Sequence, residues 1–354
     1  MSDSASIVAE TAARVFADLA DPQTINKDKT GGWKAPLWQA LEQAGLTLAW
    51  VPDDLGGAGA SLGDGFEVLG AAGRAAAGVA LAETLLAGWL LAQGKIAAPP
   101  GMMTVAPARP GERIALGADG TLNGRARAVP FAGDALHIAV LAHGPSGISI
   151  ALVDAKTCRV GEGRTLAGDA QSDVTFDRTK PIKVAPAPEG LDQTVLMLMG
   201  CTVRATQVAG ALEAVLAMAV RYANERVAFE RPIAKFQAVQ HNLARLAGEV
   251  SAAMTAAGSA ADTIASGEAD AEALFLEAAS GKIRCAEAAQ EGAAIAHQVH
   301  GAIGFTQEYI LHRYTLRLLA WRDDFGNESY WAVELGKRVA QRGADELWPL
   351  VASR

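Results

Sequence analysis

The sequence predicts an α+β chain in three parts: an N-terminal α-helical domain, a central β-barrel or β-sandwich domain, and a C-terminal four-helix bundle. Three observations carry that expectation. Apolar residues recur at helical spacing from the N-terminus to about Ala98. Between Ala98-Pro99-Pro100-Gly101 and Pro186-Ala187-Pro188 the pattern changes to short runs separated by turn dipeptides. From about Leu191 helical spacing returns over long alanine-rich stretches. The expected domains are therefore residues 1–98, 99–186 and 187–354.

In chain order, SIVAETAARVFADLA places Ile7, Val8, Ala12, Val15 and Leu19 on one helical face. LWQALEQAGL reads as a second helix stopped at Gly45. AWVPDDLGGAGASLGD is a loop, and Asp64 opens a helix through Phe66, Val68 and Leu69. A further apolar helix covers 79–93. MTVAP, ERIAL, TLNG, HIAVLAH, ISIALVD and SDVTFD read as strands, with Asp119-Gly120, Asn123-Gly124 and Gly144-Pro145 as turns. Val208, Leu212, Val215, Leu216, Ala219 and Tyr222 mark the first bundle helix; 238–266, 271–298 and 327–342 supply the others.

Composition narrows the function. The chain has 354 residues, enough for a core that needs no staples, and its 50% hydrophobic and 20% charged content is that of a globular protein. The 37 glycines, with the many alanines, predict close helix packing. With 39 acids against 31 bases, net charge is −8, which argues against nucleic acid as the main partner. Cys158, Cys201 and Cys285 form no C-x-x-C pair, so neither a zinc site nor a disulfide framework is expected, and a reducing cytoplasm suits them. No signal peptide and no membrane span are expected; VALAETLLAGWLLAQGKIAA is interrupted by Glu83, Gln93 and Lys95. The glycines of GGAGASLG are misspaced for a dinucleotide fingerprint, and no P-loop, nucleophile elbow or H-E-x-x-H is present. His297, His300 and His312 cluster without a completing carboxylate or thiol, and read as surface or capping residues.

Two segments remain. In YANERVAFERPIAKFQAVQ, Tyr222 and Arg226 lie one helical turn apart, Pro232 stops the helix and Phe236-Gln237 open the next. By spacing alone this is either a solvated helix corner or a ligand site. In QVHGAIGFTQEYILHRYTLRLLAWRDDFG, Gly301 and Gly304 either cap a helix or let a pyrophosphate approach exposed N–H groups.

Taken together the two segments resemble the C-terminal domain of the acyl-CoA dehydrogenase family. Its signature there is ER-x-x-F-G-x-P-I-x-x-F-Q, then Q-x-x-G-G-x-G-F about 60 residues later. Here Glu225-Arg226-Val227-Ala228-Phe229-Glu230-Arg231-Pro232-Ile233 is followed by Phe236-Gln237 and then Gln298-Val299-His300-Gly301-Ala302-Ile303-Gly304-Phe305. LWQALEQAGLTLAWVPDDLGGAGASLGD is similar to the family's N-terminal loop, and Gly124 with its flanking strands to the central β-domain. The resemblance implies an acyl-CoA dehydrogenase-like fold, FAD as cofactor, an acyl-CoA substrate, an electron-transfer flavoprotein as acceptor, and a homo- or heterotetramer sharing its FAD sites. It further implies that Arg226 reaches the FAD pyrophosphate of a neighbouring subunit. Phe229, Phe236 and Gln237 would line the nucleotide, Gln298, Val299, Gly301 and Ala302 would meet the adenosine and pyrophosphate, and Asn327 and Ser329 would touch FAD after the base motif.

The family's reaction is α,β-dehydrogenation: a carboxylate takes the α-proton while a hydride leaves the β-carbon for the flavin. The usual base is the glutamate of a Y-E-G-T motif. Counting 27 residues from Gln298 reaches Phe325, with Gly326 after it. The family's second solution, counted back 26 residues from Arg226, reaches Gly200, beside Cys201. Neither is a carboxylate. Asp324 is the substitute base expected here, ahead of Asp323 and Glu328; its other reading is a capping or arginine-paired acid. In the β-domain, Met103–Pro110 stands where the family carries T-E-P-x-A-G-S-D, and Ala128-Val129-Pro130 replaces the aromatic-Ile-Thr segment over the flavin ring, leaving backbone groups to hold it. Glu230 replaces the corner glycine. The leading expectation is a dehydrogenase of branched or cyclic acyl-CoA. The alternatives are a non-catalytic subunit that completes a sister chain's FAD site, and a flavin monooxygenase on the same scaffold.

Overall fold

The computed structural model describes residues 7–28 and 30–352. The N-terminal region holds α1 (Ile7–Leu19), α2 (Pro22–Lys27), α3 (Lys34–Gln43), α4 (Leu62–Arg74) and α5 (Leu81–Gln93). Helix α3 ends where expected, with Gly45 in the left-handed conformation at φ 70°. Helix α4 starts earlier than Asp64. Ser61 caps it, its hydroxyl accepting the Asp64 N–H while the Asp64 carboxylate accepts from the Ser61 N–H, so Asp64 is the third residue of a capping box.

The central region is one mixed sheet. Strands β1 (Met103–Ala106), β2 (Ile114–Leu116), β3 (Leu122–Pro130), β4 (His137–Gly144), β5 (Gly147–Asp154), β6 (Arg159–Val160), β7 (Gln171–Thr179) and β8 (Lys183–Pro186) run in the order β6-β7-β3-β2-β4-β5-β8, with β1 beside β4. β1 and β2 lie parallel to β4; the remaining pairs are antiparallel. The six expected strands are present. β6 and β8 were not expected, being short end strands without a buried, alternating face. β3 and β7 run longer than their apolar cores because they pair along most of their length, with an irregularity between Ala126 and Val129.

The C-terminal region is built on α6 (Gln193–Glu225), α7 (Gln237–Ser266) and α8 (Ala271–His300), followed by α9 (Leu311–Trp321), α10 (Glu328–Arg342) and α11 (Leu347–Ala352). A two-stranded hairpin, β9 (Val227–Ala228) and β10 (Arg231–Pro232), forms the corner between α6 and α7. Helix α6 is the only described helix long and apolar enough to cross a membrane, and most of that apolar stretch is buried inside the bundle. The predicted close packing is visible where α4 meets α6. A Cβ on Gly210 would lie 2.2 Å from the Gly70 carbonyl oxygen, and one on Gly73 2.2 Å from that of Gln207. One apolar core runs from α1 through the sheet to the first half of α6 and on to Phe325 and Trp331; a second fills the bundle around Leu212, Val250 and Leu318.

Candidate functional site

Where α5, α6, α8 and the turn after α9 meet, the apolar core contains a cluster of charges. Arg204 is 2% exposed. Its Nε donates to Asp324 Oδ2 at 2.8 Å, and its other nitrogens donate to Glu83 and Gln207. Gln171, from β7, donates to Asp324 Oδ1 at 2.9 Å. Lys282 Nζ donates to the carbonyl oxygens of Trp321 and Asp324 at 2.8 and 2.9 Å. Two acids and two bases thus balance in a dry place, which is the condition for keeping charge there. Burial pushes the Glu83 carboxyl up, with Arg204 opposing it, and pulls the Lys282 ammonium down to about 8. Beside the cluster, Phe325 is 1% exposed and sits at φ 56°. A Cβ on Gly200 would lie 2.4 Å from the Phe325 ring, so the ring is seated directly on the α6 backbone.

The far end of the bundle is different. The corner residues Arg226, Phe229 and Gln237 are exposed, Phe229 at 89%, and Phe236 is half-buried against Phe229 at 6.1 Å between ring centres. At the end of α8, Gln298, Gly301 and Ala302 line an open cavity of about 880 Å³ together with His297, Phe305 and His312. Gly301 has φ 63°, and a Cβ there would project into empty space. The two groups are tied together: Tyr222, one turn before Arg226, stacks on His300, the residue before Gly301, at 4.5 Å. An unpaired guanidinium and a glycine turn opening on a cavity fit a dinucleotide's phosphates and adenosine.

A third place lies on the sheet. Ala128 is at φ 48°, and its N–H donates to Asp173 Oδ1 at 2.8 Å. That bond, with Arg125 on the other oxygen at 2.5 Å, holds the Asp173 carboxyl below the usual carboxylate range. The Pro130 carbonyl accepts from Thr104 Oγ1 at 2.7 Å, and proline has no N–H to offer. Arg125, Ala128 and Asp173 border a cleft of about 540 Å³ that Arg159, Arg164 and Gln171 also line.

Comparison with known proteins gives this arrangement a family. A model of the acyl-CoA dehydrogenase C-terminal domain matches residues 193–327. The acyl-CoA dehydrogenase IpdE2 of Mycolicibacterium smegmatis is 30% identical over 329 residues, covering 90% of this chain and 93% of that protein. The chain belongs to the acyl-CoA dehydrogenase family. IpdE2 of Mycobacterium tuberculosis is 28% identical and covers 96% of both chains. Among solved structures, a variant of the Tcur3481-Tcur3483 steroid ACAD matches with TM-score 0.82 at 26% identity, over 94% of this chain and 97% of that one. The ChsE4-ChsE5 complex from Mycobacterium tuberculosis shares the fold, with TM-score 0.85 at 23% identity, over 97% of this chain and 99% of that one.

Within that acyl-CoA dehydrogenase fold the expected site residues separate. Arg226, Phe229, Phe236 and Gln237 come together with Gln298, Gly301 and Ala302 through the Tyr222–His300 stack. Val299 does not present a side chain there; at 6% exposure it packs into the bundle core. Asn327 and Ser329 are exposed at the start of α10, where the Asn327 side chain accepts the Tyr330 N–H at 2.9 Å. Asp324 is buried, at 6% exposure. Both of its oxygens are bonded, as the capping-or-paired reading of this residue expects. Glu328 pairs with Arg322, and Asp323 is exposed. Phe325 and Gly200, the two positions at which the resemblance implies a base, lie against each other. Sequence reasoning missed Glu83, Arg204, Lys282 and Gln171. The available signal was a lone charge on an otherwise apolar helix face, which requires a partner.

Proposed function

We propose that this chain is a subunit of a heteromeric, FAD-dependent acyl-CoA dehydrogenase, one that supplies the nucleotide half-site for a sister chain's flavin and carries no α-proton base itself. The observation that carries this reading is the Phe325 ring seated on Gly200, which fills both places where a glutamate would aim at substrate. Three further observations support it. Asp324 is clamped by Arg204 and Gln171, so both of its oxygens are already occupied. The Ala128 N–H, a backbone donor expected to be left for the flavin ring, is taken by Asp173. In contrast, Arg226 and the Gly301 turn stand open.

The residues then divide the work. Arg226 neutralises pyrophosphate charge with its planar fork. Gly301 and Ala302 admit the phosphates and adenosine close to the backbone, and Phe229 and Phe236 cover the nucleotide from water. FAD supplies the acceptor for the substrate's β-hydride. The sister chain provides the carboxylate that takes the α-proton, and the electrons pass on to an electron-transfer flavoprotein. The substrate is an acyl-CoA of branched or cyclic type; the steroid ACAD among the structural neighbours supports that class. The chain works in the cytoplasm as part of a heterotetramer.

The test is made on the protein purified with its partner. Arg226→Ala in this chain should release FAD or weaken it by about 2–5 kcal/mol, the scale of a buried charge left unpaired. Asp324→Asn should leave the rate of flavin bleaching by acyl-CoA, per bound flavin, unchanged. A chain that binds FAD alone and bleaches it with acyl-CoA, losing that ability in Asp324→Asn, overturns the reading.

A further inference from the structure

The corner bearing Arg226 and the turn bearing Gly301 belong to different helices, and three aromatic side chains join them. His300 is 3% exposed. Its Nδ1 lies 2.7 Å from the Ala296 carbonyl oxygen, which can only accept, so Nδ1 carries the proton. In the neutral imidazole Nε2 is then bare and accepts from the Tyr309 hydroxyl at 3.2 Å. Tyr222 stacks on the imidazole at 4.5 Å and meets Tyr309 edge-on at 6.0 Å. Tyr222 also accepts the Arg226 N–H at its carbonyl, at 2.8 Å.

We propose that His300, as the neutral Nδ1–H tautomer, is the positioning residue that fixes the Arg226 corner against the Gly301 turn, and that its protonation loosens nucleotide capture at this half-site. The proposal rests on the half-site reading above. A second proton on Nε2 would face the Tyr309 hydroxyl. That hydroxyl already has the Arg221 guanidinium beside its oxygen, so it would have to turn its own hydrogen away from His300 and the present bond would be lost. The groups around the imidazole are Tyr222, Arg221 and Glu225 from α6, Tyr309 from the connecting segment, His297 on α8 and, beyond it, His312 on α9. His297 opposes an imidazolium; the Ala296 carbonyl favours one. Burial holds His300 below the ordinary histidine range, so the neutral relay persists at neutral pH and breaks as pH falls beneath that range.

The experiment follows FAD release from the complex with its partner, by the rise of flavin fluorescence on dilution, across about pH 5 to 8. Wild type should release FAD about tenfold faster at the acid end, the worth of one or two hydrogen bonds. His300→Phe keeps a ring for Tyr222 to stack on; it should release FAD quickly at every pH, with no acid step. Tyr309→Phe, at a less buried position, is the second variant and should also raise release at neutral pH. His300→Phe or Tyr309→Phe with wild-type retention, or His300→Phe with the wild-type acid step, overturns the proposal. Arg226→Ala separates the two levels: if it releases FAD and the His300 and Tyr309 variants do not, only the positioning role fails. If FAD is indifferent to Arg226, the half-site reading fails and this inference with it.

Discussion

Around Phe325, the charged side chains Glu83, Arg204, Asp324 and Lys282 are buried and bonded to one another or to carbonyl oxygens. At the ends of α6 and α8, Arg226, Phe229, Gln298 and Ala302 are exposed around a glycine turn. Glu83 apart, both regions belong to the segment matched by the acyl-CoA dehydrogenase model, yet one is closed by its own side chains and the other is open. A ligand reaching the first would have to displace bonds already made in a dry interior, each costing about 1–3 kcal/mol when left unmade. A ligand reaching the second displaces water. On the reading proposed above, the same fold keeps one half of a shared cofactor site while the other half has become core.

The largest expected effect tests whether the closed region is held by its charges. Arg204→Met leaves Glu83 and Asp324 buried without their cation and should lower folding stability by about 3–5 kcal/mol in urea denaturation. The triple variant Glu83→Gln, Arg204→Met, Asp324→Asn removes the arginine together with both of its acids, leaving Lys282 on its two carbonyl oxygens, and should recover part of that loss. A single variant as stable as wild type would mean the cluster is not the dry network described.

Next in size is Gly200→Ala. The added methyl has no room beneath Phe325, 2.4 Å away, and overpacking of this kind costs about 1–3 kcal/mol. Because the position is core in this chain, FAD retention by the complex should be unaffected. Lost flavin with unchanged stability would place Gly200 in a ligand site and break the comparison.

Much of the open region was legible beforehand, because its determinants are local. The long helices repeat over enough turns to show themselves: 238–266 and 271–298 were expected, against Gln237–Ser266 and Ala271–His300 observed. Arg226 and Gly301 lie inside short motifs. The closed region was not legible. Arg204 meets Glu83 and Asp324 across about 120 positions of sequence, and no periodicity reports a pairing of that range. Asp324 was therefore judged by its place beside Phe325, without sight of the arginine that holds it. Helix α9 was also missed as a separate element, since it lies inside a stretch taken as one motif.

The smallest effect concerns the hairpin at the corner. Phe229 and Glu230 form its two-residue turn, between Ala228 and Arg231, at φ 50° and 67°. A turn with both central residues at positive φ favours Asn-Gly, and an ordinary residue there costs about 1–2 kcal/mol. Glu230→Gly relieves that cost but adds freedom to the unfolded chain, so the net gain should be about 0.5–1 kcal/mol, read from the urea midpoint, with FAD retained. Phe229→Asn relieves the neighbouring strain too, yet removes a ring that is 89% exposed in this chain. Strain kept at an exposed aromatic position points to use there, since backbone strain persists where function requires it. Phe229→Asn should therefore make the separate chain slightly more stable while the complex holds FAD less well. If Phe229→Asn gains stability and keeps FAD fully, the exposed ring serves neither nucleotide nor partner, and the open half of the comparison narrows to Arg226 and the Gly301 turn.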